Sequence, residues 1–401
     1  MYSLREEYFA CLALRYTPGL GPKSWSNILR YYDSAYAGLK DAANWHSLAF
    51  ASEKSSASAL NEEWRVKAEK EYRAACRLGF GILPWTHPLF PALLKELPDP
   101  PTCLYYLGDP QLLVNPAVAI VGARNSGRLG IEYGERLAAD LSRSGITVVS
   151  GFAKGVDSCV HEAALQGVGS TVAVLGTGLD FDTYPVDSGW LRSRIVESGL
   201  MISEFPPGTK PFARNFPFRN RLISGLGLGV VVVEADIASG SLVTARLAGE
   251  QGREVMAMPG PSGDSSFAGC LKLIKEGATL VETAEDVLLN IRHMLETSVK
   301  KSGPAVTNDY SVKKIIKSCP QRPEIEIPKP AESLSVLDIS ALEPPECDIA
   351  LALEKGGKMH IDEICRAAGL DVSVVGAMIL GMEVKGMVVR FPGMYYDLKR
   401  C

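Results

Sequence analysis

The feature that most restricts this chain is a train of seven apolar runs at 118–121, 146–149, 171–175, 200–203, 230–234, 254–257 and 279–281. Each is followed by a glycine-containing turn and most by an amphipathic stretch. Short continuous apolar runs alternating with helical patterns predict strands buried on both faces, hence an α/β fold built on a doubly wound parallel sheet. In such a sheet, ligands bind beyond the carboxyl ends of the strands, so those ends are read together.

The first strand and turn, "VAIVGARNSGRLGIEYG" from Val118 to Gly134, pose a question about phosphate. The glycines at 122, 127 and 130 do not have the dinucleotide spacing G-x-G-x-x-G, and no Lys-Ser/Thr pair completes a Walker A loop. The loop carries Arg124 and Arg128 instead. The second strand runs into "SGFAKGVD", placing Lys154 and Gly155 where a dinucleotide-binding protein keeps an acid for the ribose. The expected ligand is therefore an anion, held partly by the loop Gly122, Ala123 and Arg124.

The fourth strand leads into "EFPPGTKPFARNFPFRNRLISGLG", where Lys210–Arg221 holds four basic residues, three phenylalanines and no acid. Cations interleaved with aromatic rings can bond phosphates and stack bases, as single-strand binding requires. Phe216, Arg219, Asn220 and Arg221 are the candidates, with Pro217 expected to keep Phe216 out of a helix and the stretch extended along the groove. The plainer alternative makes the phenylalanines core. After the fifth strand, which ends at Glu234, Ser239, Gly240 and Ser241 open a helix, with Thr244 and Arg246 one turn on. They could hold a phosphate, or the serines could simply cap that helix.

Enzyme chemistry finds little support. Asp157 and His161 lie four apart on an expected helix and could form an acid–base pair, but no third partner is evident; a capping Asp157 beside a packed His161 accounts for them. Five histidines and nine cysteines without a C-x-x-C pair assemble no metal framework. The same cysteine usage fits a reducing cytoplasm. The N-terminus lacks a signal-peptide core, and no apolar stretch reaches the roughly 20 residues that span a bilayer, so no membrane is expected. A net charge of −4 requires any nucleic-acid site to be a local patch.

Around the sheet, residues 1–75 read as helices. Between the first two, "TPGLGPKS" resembles a helix-hairpin-helix turn, or serves as a tight turn between packed helices. The proline-dense stretch 81–113 reads as an adaptor of short elements within the 76–297 domain, 298–345 as a Lys-, Ser- and Pro-rich linker, and 346–401 as three short helices and two strands around "FPGM", the pattern of a winged helix.

Six ordered blocks, "VAIVGARNSG", "VVSGFAKGVDSCVHEAAL", "TVAVLGTGLDFDTYP", "SEFPPGTKPFARNFPFRNRLISGLGLGVVVVEA", "SGSLVTARLAGEQGREVMAMPG" and "LIKEGATLV", resemble the bacterial DNA-processing protein A (DprA, or Smf) family over about residues 80–290. The resemblance implies an extended Rossmann-like domain flanked by an N-terminal SAM-like domain and a C-terminal winged helix. It implies a protein that binds single-stranded DNA without catalysis or cofactor, protects incoming strands in natural transformation and loads RecA. It also suggests a homodimer, aided by the apolar helix "AEDVLLNIRHML". By motif, its binding positions fall on Gly122, Arg124, Lys154, Phe216, Arg219, Asn220 and Arg221. Two departures stand out: Ala123 replaces a common serine, and Leu271 a common asparagine. Two other classes compete, a nucleotide phosphoribohydrolase and a mononucleotide sensor; the hydrolase signature P-G-G-x-G-T-x-x-E is replaced here by "ASGSLVTARLAGE".

Overall fold

A computed structural model describes residues 2–181, 188–301, 344–385, 387–391 and 395–398. The chain forms two compact units, residues 1–322 and 323–401.

The first unit opens with helices α1 (Leu4–Tyr16), α2 (Pro22–Tyr32), α3 (Ala35–Lys40), α4 (Glu53–Leu60) and α5 (Arg65–Arg77). Local chemistry starts them. Ser3 and Glu6 form a reciprocal capping box on α1, Pro22 stands at the first position of α2, and Ser34 and Ser52 cap α3 and α4. Glu7, buried in α1, accepts the amides of Ala35 (2.8 Å) and Tyr36 (2.9 Å) and the Ser34 hydroxyl (2.8 Å), so an internal carboxylate neutralises the α3 N-terminus.

The expected strands form β3 (Ala117–Val121), β4 (Thr147–Ser150), β5 (Thr171–Leu175), β6 (Leu200–Ser203), β7 (Gly229–Val232), β8 (Glu254–Ala257) and β9 (Thr279–Leu280), all parallel. The stretch 81–113 does more than adapt. It supplies β1 (Gly81–Pro84), the short helix α6 (Ala92–Lys95) and β2 (Cys103–Gly108), and β2 runs antiparallel to both β1 and β6. The result is a mostly parallel nine-stranded sheet in the order β1-β2-β6-β5-β4-β3-β7-β8-β9.

Helices α7 (Arg128–Arg143), α8 (Val156–Ala164) and α13 (Ala284–Lys301) cover one face. On the other lie α9 (Gly189–Ser198), α10 (Asn215–Leu226), α11 (Ser241–Glu250) and α12 (Ala268–Lys275), whose core is continuous with that of α1–α5. Glu71 of α5 locks this junction. Its carboxylate accepts from Arg15 at 2.9 Å and from the Tyr16 and Tyr105 hydroxyls, tying α1 and α5 to β2. The α13 helix runs to Lys301, past the expected start of the linker at 298; the rest of that segment, 302–343, lies outside the described residues.

The second unit is a winged helix: helices Glu346–Gly356, Ile361–Ala368 and Val372–Val384, with strands Met359–His360, Val388–Phe391 and Tyr395–Leu398 in one antiparallel sheet. Ile349, Leu353, Ile364, Val375 and Ile379 make its core. Residues 392–394 of the "FPGM" turn lie outside the described residues.

Candidate nucleic-acid interface

Strand order reverses between β3 and β7, because β3 is followed by α7 and β4 on one side while β7 and β8 continue on the other. A cleft of about 720 Å³ opens at this switch point, beyond the carboxyl ends of the strands. Gly122, Ala123 and Arg124 line it from the loop after β3. Ser239, Gly240, Ser241 and Thr244 line it from the start of α11, and Phe216, Arg219 and Asn220 from α10.

From Asn215 onward the basic-aromatic segment is helical, which corrects the expectation that Phe216 and its neighbours lie in an extended stretch. Proline at 217 is tolerated because the first helical turn needs no amide from it. Helical periodicity then decides which residues reach the cleft. Phe216, Arg219, Asn220 and Ile223, at i, i+3, i+4 and i+7, share one face and all line it.

Arg221 points elsewhere, and its assignment to the groove is corrected. Two residues along a helix from Arg219, it is turned by about 200°. Its side chain is 5% exposed, pairs with Glu204 at 2.5 Å and Asp99 at 3.1 Å, and stacks on Phe218 at 4.2 Å. Its charge fastens α10 to the 81–113 segment and to the end of β6.

Arg219 lines the cleft but also holds the sheet. Nearly buried, it donates to the carbonyls of Gly151 (2.6 Å) and Val174, at the ends of β4 and β5. Asp157 lies beside it. Burial pushes this carboxyl up from its ordinary value, opposed by Arg219 and by the Ala153 amide, which donates at 3.2 Å.

His161 is fully buried. Its Nε2 accepts from the Phe152 amide at 3.3 Å and its Nδ1 meets the Thr171 hydroxyl at 2.7 Å, which donates onward to the Val148 carbonyl. Burial and the nearby Arg219 lower its pKa to about 3. The imidazole is thus neutral and structural, linking α8 to β5. Since its folded pKa lies below the unfolded value of about 6.5, the unfolded chain binds the extra proton between them. Stability is expected to fall as pH drops from about 6.5 toward 3, and His161→Gln to flatten that part of a pH–stability curve from urea melts.

Lys154 is exposed outside the cleft lining, and Gly155 beside it is structural. With φ +76°, it caps α8 so close to the first loop that a Cβ would stand 2.3 Å from the Ala123 carbonyl oxygen.

The first loop holds the largest departure from expectation. The N-terminus of α7, where a Rossmann-type domain receives a phosphate, is already filled. Glu234, 1% exposed, accepts the Gly127 amide at 3.1 Å with both carboxylate oxygens and the Ser126 hydroxyl at 2.6 Å. Gly130 makes room for it: a Cβ there would lie 1.9 Å from a carboxylate oxygen. An internal anion occupies the seat, and Arg124 is what the loop offers outward.

Arg124 is exposed and lies over the half-buried Phe216 ring, 5.8 Å from its centroid. At α11, the Leu242 and Val243 amides turn back to Ser239 and Gly240 at 3.2 Å, and the Ser239 and Ser241 hydroxyls bond each other at 2.7 Å. The Ser239 hydroxyl also accepts the Ser241 amide at 3.4 Å, so a serine does cap the start of this helix. The hydroxyls of Ser239, Ser241 and Thr244 are the polar groups this helix contributes.

Asn125, Pro211, Ala213 and Asp236 also line the cleft and were not expected. Phe212, 51% exposed with Arg214 over its ring at 5.5 Å, adds a second cation–aromatic pair. Its place in the basic-aromatic segment was the available signal. Among the described residues no cluster of His, Cys, Asp or Glu could hold a metal ion, and no helix is long and apolar enough to cross a membrane.

Residues 81–292 match the family described as DNA recombination-mediator protein A, and residues 337–394 match the DprA winged helix domain. Protein Smf of Escherichia coli is 36% identical over 324 residues, covering 80% of this chain and 78% of that protein. DNA processing protein DprA of Streptococcus pneumoniae is 45% identical over 199 residues, 50% of this chain and 70% of the relative. The X-ray structure of DprA from S. pneumoniae superposes with a TM-score of 0.61 at 34% identity, covering 72% of this chain and 98% of that one. On these matches, the chain belongs to the DNA recombination-mediator protein A (DprA/Smf) family.

Proposed function

We propose that the switch-point cleft binds single-stranded DNA without catalysis or cofactor, phosphates meeting exposed cations and bases stacking on aromatic rings. One observation carries this reading: the Arg124 guanidinium over Phe216 at the mouth of a cleft whose neighbouring helix N-terminus is filled by Glu234. A nucleotide sensor or phosphoribohydrolase would use that N-terminus for a phosphate; here it is spent. Incubation with AMP is expected to release no adenine.

Among the exposed cations, Arg124 lines the cleft, and Lys154, Lys210 and Arg214 lie on the segments that enter it. If these neutralise about four phosphates, log K for an oligonucleotide falls with log salt at a slope near −0.7 × 4, roughly −3. Anisotropy titrations at several salt concentrations measure it. Arg124→Ala is expected to weaken all sequences alike and to flatten the slope by about 0.7, because phosphate contacts carry no sequence information. A salt-independent affinity contradicts the reading.

Phe216→Ala is expected to cost about 1 to 3 kcal/mol of single-strand affinity, the worth of one stacked base, with the salt slope unchanged. A ring acting only as core gives the opposite pattern, a lowered melting temperature with unchanged affinity. Both quantities are read on the same variant.

The proposal extends to protection of incoming strands in natural transformation, loading of RecA, a homodimer and action in the cytoplasm; the apolar stripe of α13 that suggested the dimer, Val287, Leu288, Ile291 and Leu295, is instead buried against the sheet. The SAM-like identity of residues 1–75 and a linker beginning after Lys301 belong to the same reading.

A further inference from the structure

A second cavity, of about 850 Å³, lies wholly within the N-terminal helices, between α1, α3, the end of α4 and α5. Its composition differs from a packing defect. Phe9, Tyr36 and Tyr72 present half-buried rings to it and Trp64 a buried one. Cations sit on these rings: Arg5 lies 5.1 Å from the Tyr72 centroid and 5.9 Å from Phe9, Lys40 5.5 Å from Tyr36, and Arg65 5.6 Å from Trp64.

Two of the acids lining the cavity are paired with its own arginines, and the third caps α1. Glu6 accepts the Ser3 amide at 2.8 Å in the α1 capping box, while Glu62 pairs with Arg65 at 2.5 Å and Glu69 with Arg73 at 3.3 Å. Arg5 and Lys40 form no ion pair among the described residues. Two exposed cations outside any described ion pair, Lys40 of the two within the field of the Glu6 carboxylate, thus flank a set of aromatic faces. This combination favours a ligand that is planar at one end and anionic at the other.

We propose that this cavity is a nucleotide seat, in which a base lies against the Phe9 and Tyr72 rings while its phosphate meets Arg5 and Lys40. The seat is independent of the switch-point cleft. Its nucleotide could be free or the 5′ end of a strand, two sources with one chemistry.

Calorimetric titration of the full chain at low salt tests the proposal, with AMP, adenosine and a 5′-phosphorylated thymidine trinucleotide as probes. AMP is expected to bind at one site, more tightly than adenosine. Arg5→Ala/Lys40→Ala, at exposed positions, is expected to weaken it about tenfold or more with the melting temperature retained. Arg124→Ala, which weakens the switch-point cleft, is expected to leave it unchanged. A trinucleotide tighter than AMP, by a margin that Arg5→Ala/Lys40→Ala removes and Arg124→Ala does not, identifies a strand end as the occupant, and the reverse order a free nucleotide. Absence of heat at millimolar AMP and trinucleotide overturns the proposal. So does binding that Arg124→Ala abolishes and Arg5→Ala/Lys40→Ala spares, an outcome that leaves the cleft reading standing.

Discussion

Arg221→Ala is expected to lower the unfolding free energy by about 3 to 5 kcal/mol and leave the single-strand affinity of the folded protein unchanged. The size follows from what the side chain leaves behind. Glu204 is 10% exposed at its side chain and loses the guanidinium that compensates its charge, and breaking a buried pair from one side strands the other ion. Asp99, one-third exposed, regains water and adds less. Arg221 also caps the Phe218 ring at 4.2 Å, so packing is lost with the charge. Urea melts together with anisotropy on the same preparation check both halves. A large affinity loss with normal stability would place Arg221 in the groove after all, and with it the extended conformation that the structure replaces by α10.

The second large effect is at Glu234. Glu234→Ala removes a buried carboxylate that accepts from Ser126 and from the Gly127 amide, leaving both donors and the α7 dipole unanswered. Hydrogen bonds to a charged acceptor contribute about 1.5 to 3 kcal/mol each, so a loss near 3 kcal/mol is expected. The same vacancy is an anion site of the kind a helix N-terminus offers. Millimolar inorganic phosphate is therefore expected to raise the melting temperature of Glu234→Ala more than that of the parent, by mass action on the folded state. Equal shifts in the two proteins would show that the N-terminus of α7 is not the seat.

These two residues mark where local sequence stops informing. The seven parallel strands were legible because buried apolar runs and glycine turns repeat without ambiguity. Strand order then brings the loops after β3 and β7 and the start of α11 to one cleft, so Gly122, Ala123, Arg124, Ser239, Gly240, Ser241 and Thr244 meet as expected. At 215–226 a single local rule misled. Pro217 disfavours helix at the residue before it, yet in a first turn that penalty is outweighed by the burial of Leu222, Ile223 and Leu226 against the sheet. Once the period changes from 2 to 3.6, Arg219 and Arg221 part company. Glu234 and Gly127 are 107 residues apart, and no pattern within either loop announces their bond. The edge strand β1 and its neighbour β2 were obscured by the prolines between them, which sit in the connection and leave the ladder intact.

The central claim is that a strand is held by cations and by stacking on the protein's aromatic rings of base faces that, in a duplex, are covered by neighbouring base pairs. The most direct measurement is the dissociation constant of one labelled oligonucleotide, single-stranded and then annealed to its complement, on the full chain at one near-physiological salt concentration. The account predicts tighter binding of the single strand by roughly tenfold or more, the equivalent of about one stacked base, with most of that preference lost in Phe216→Ala. A duplex bound as tightly as the single strand, by the parent and by Phe216→Ala alike, would contradict it.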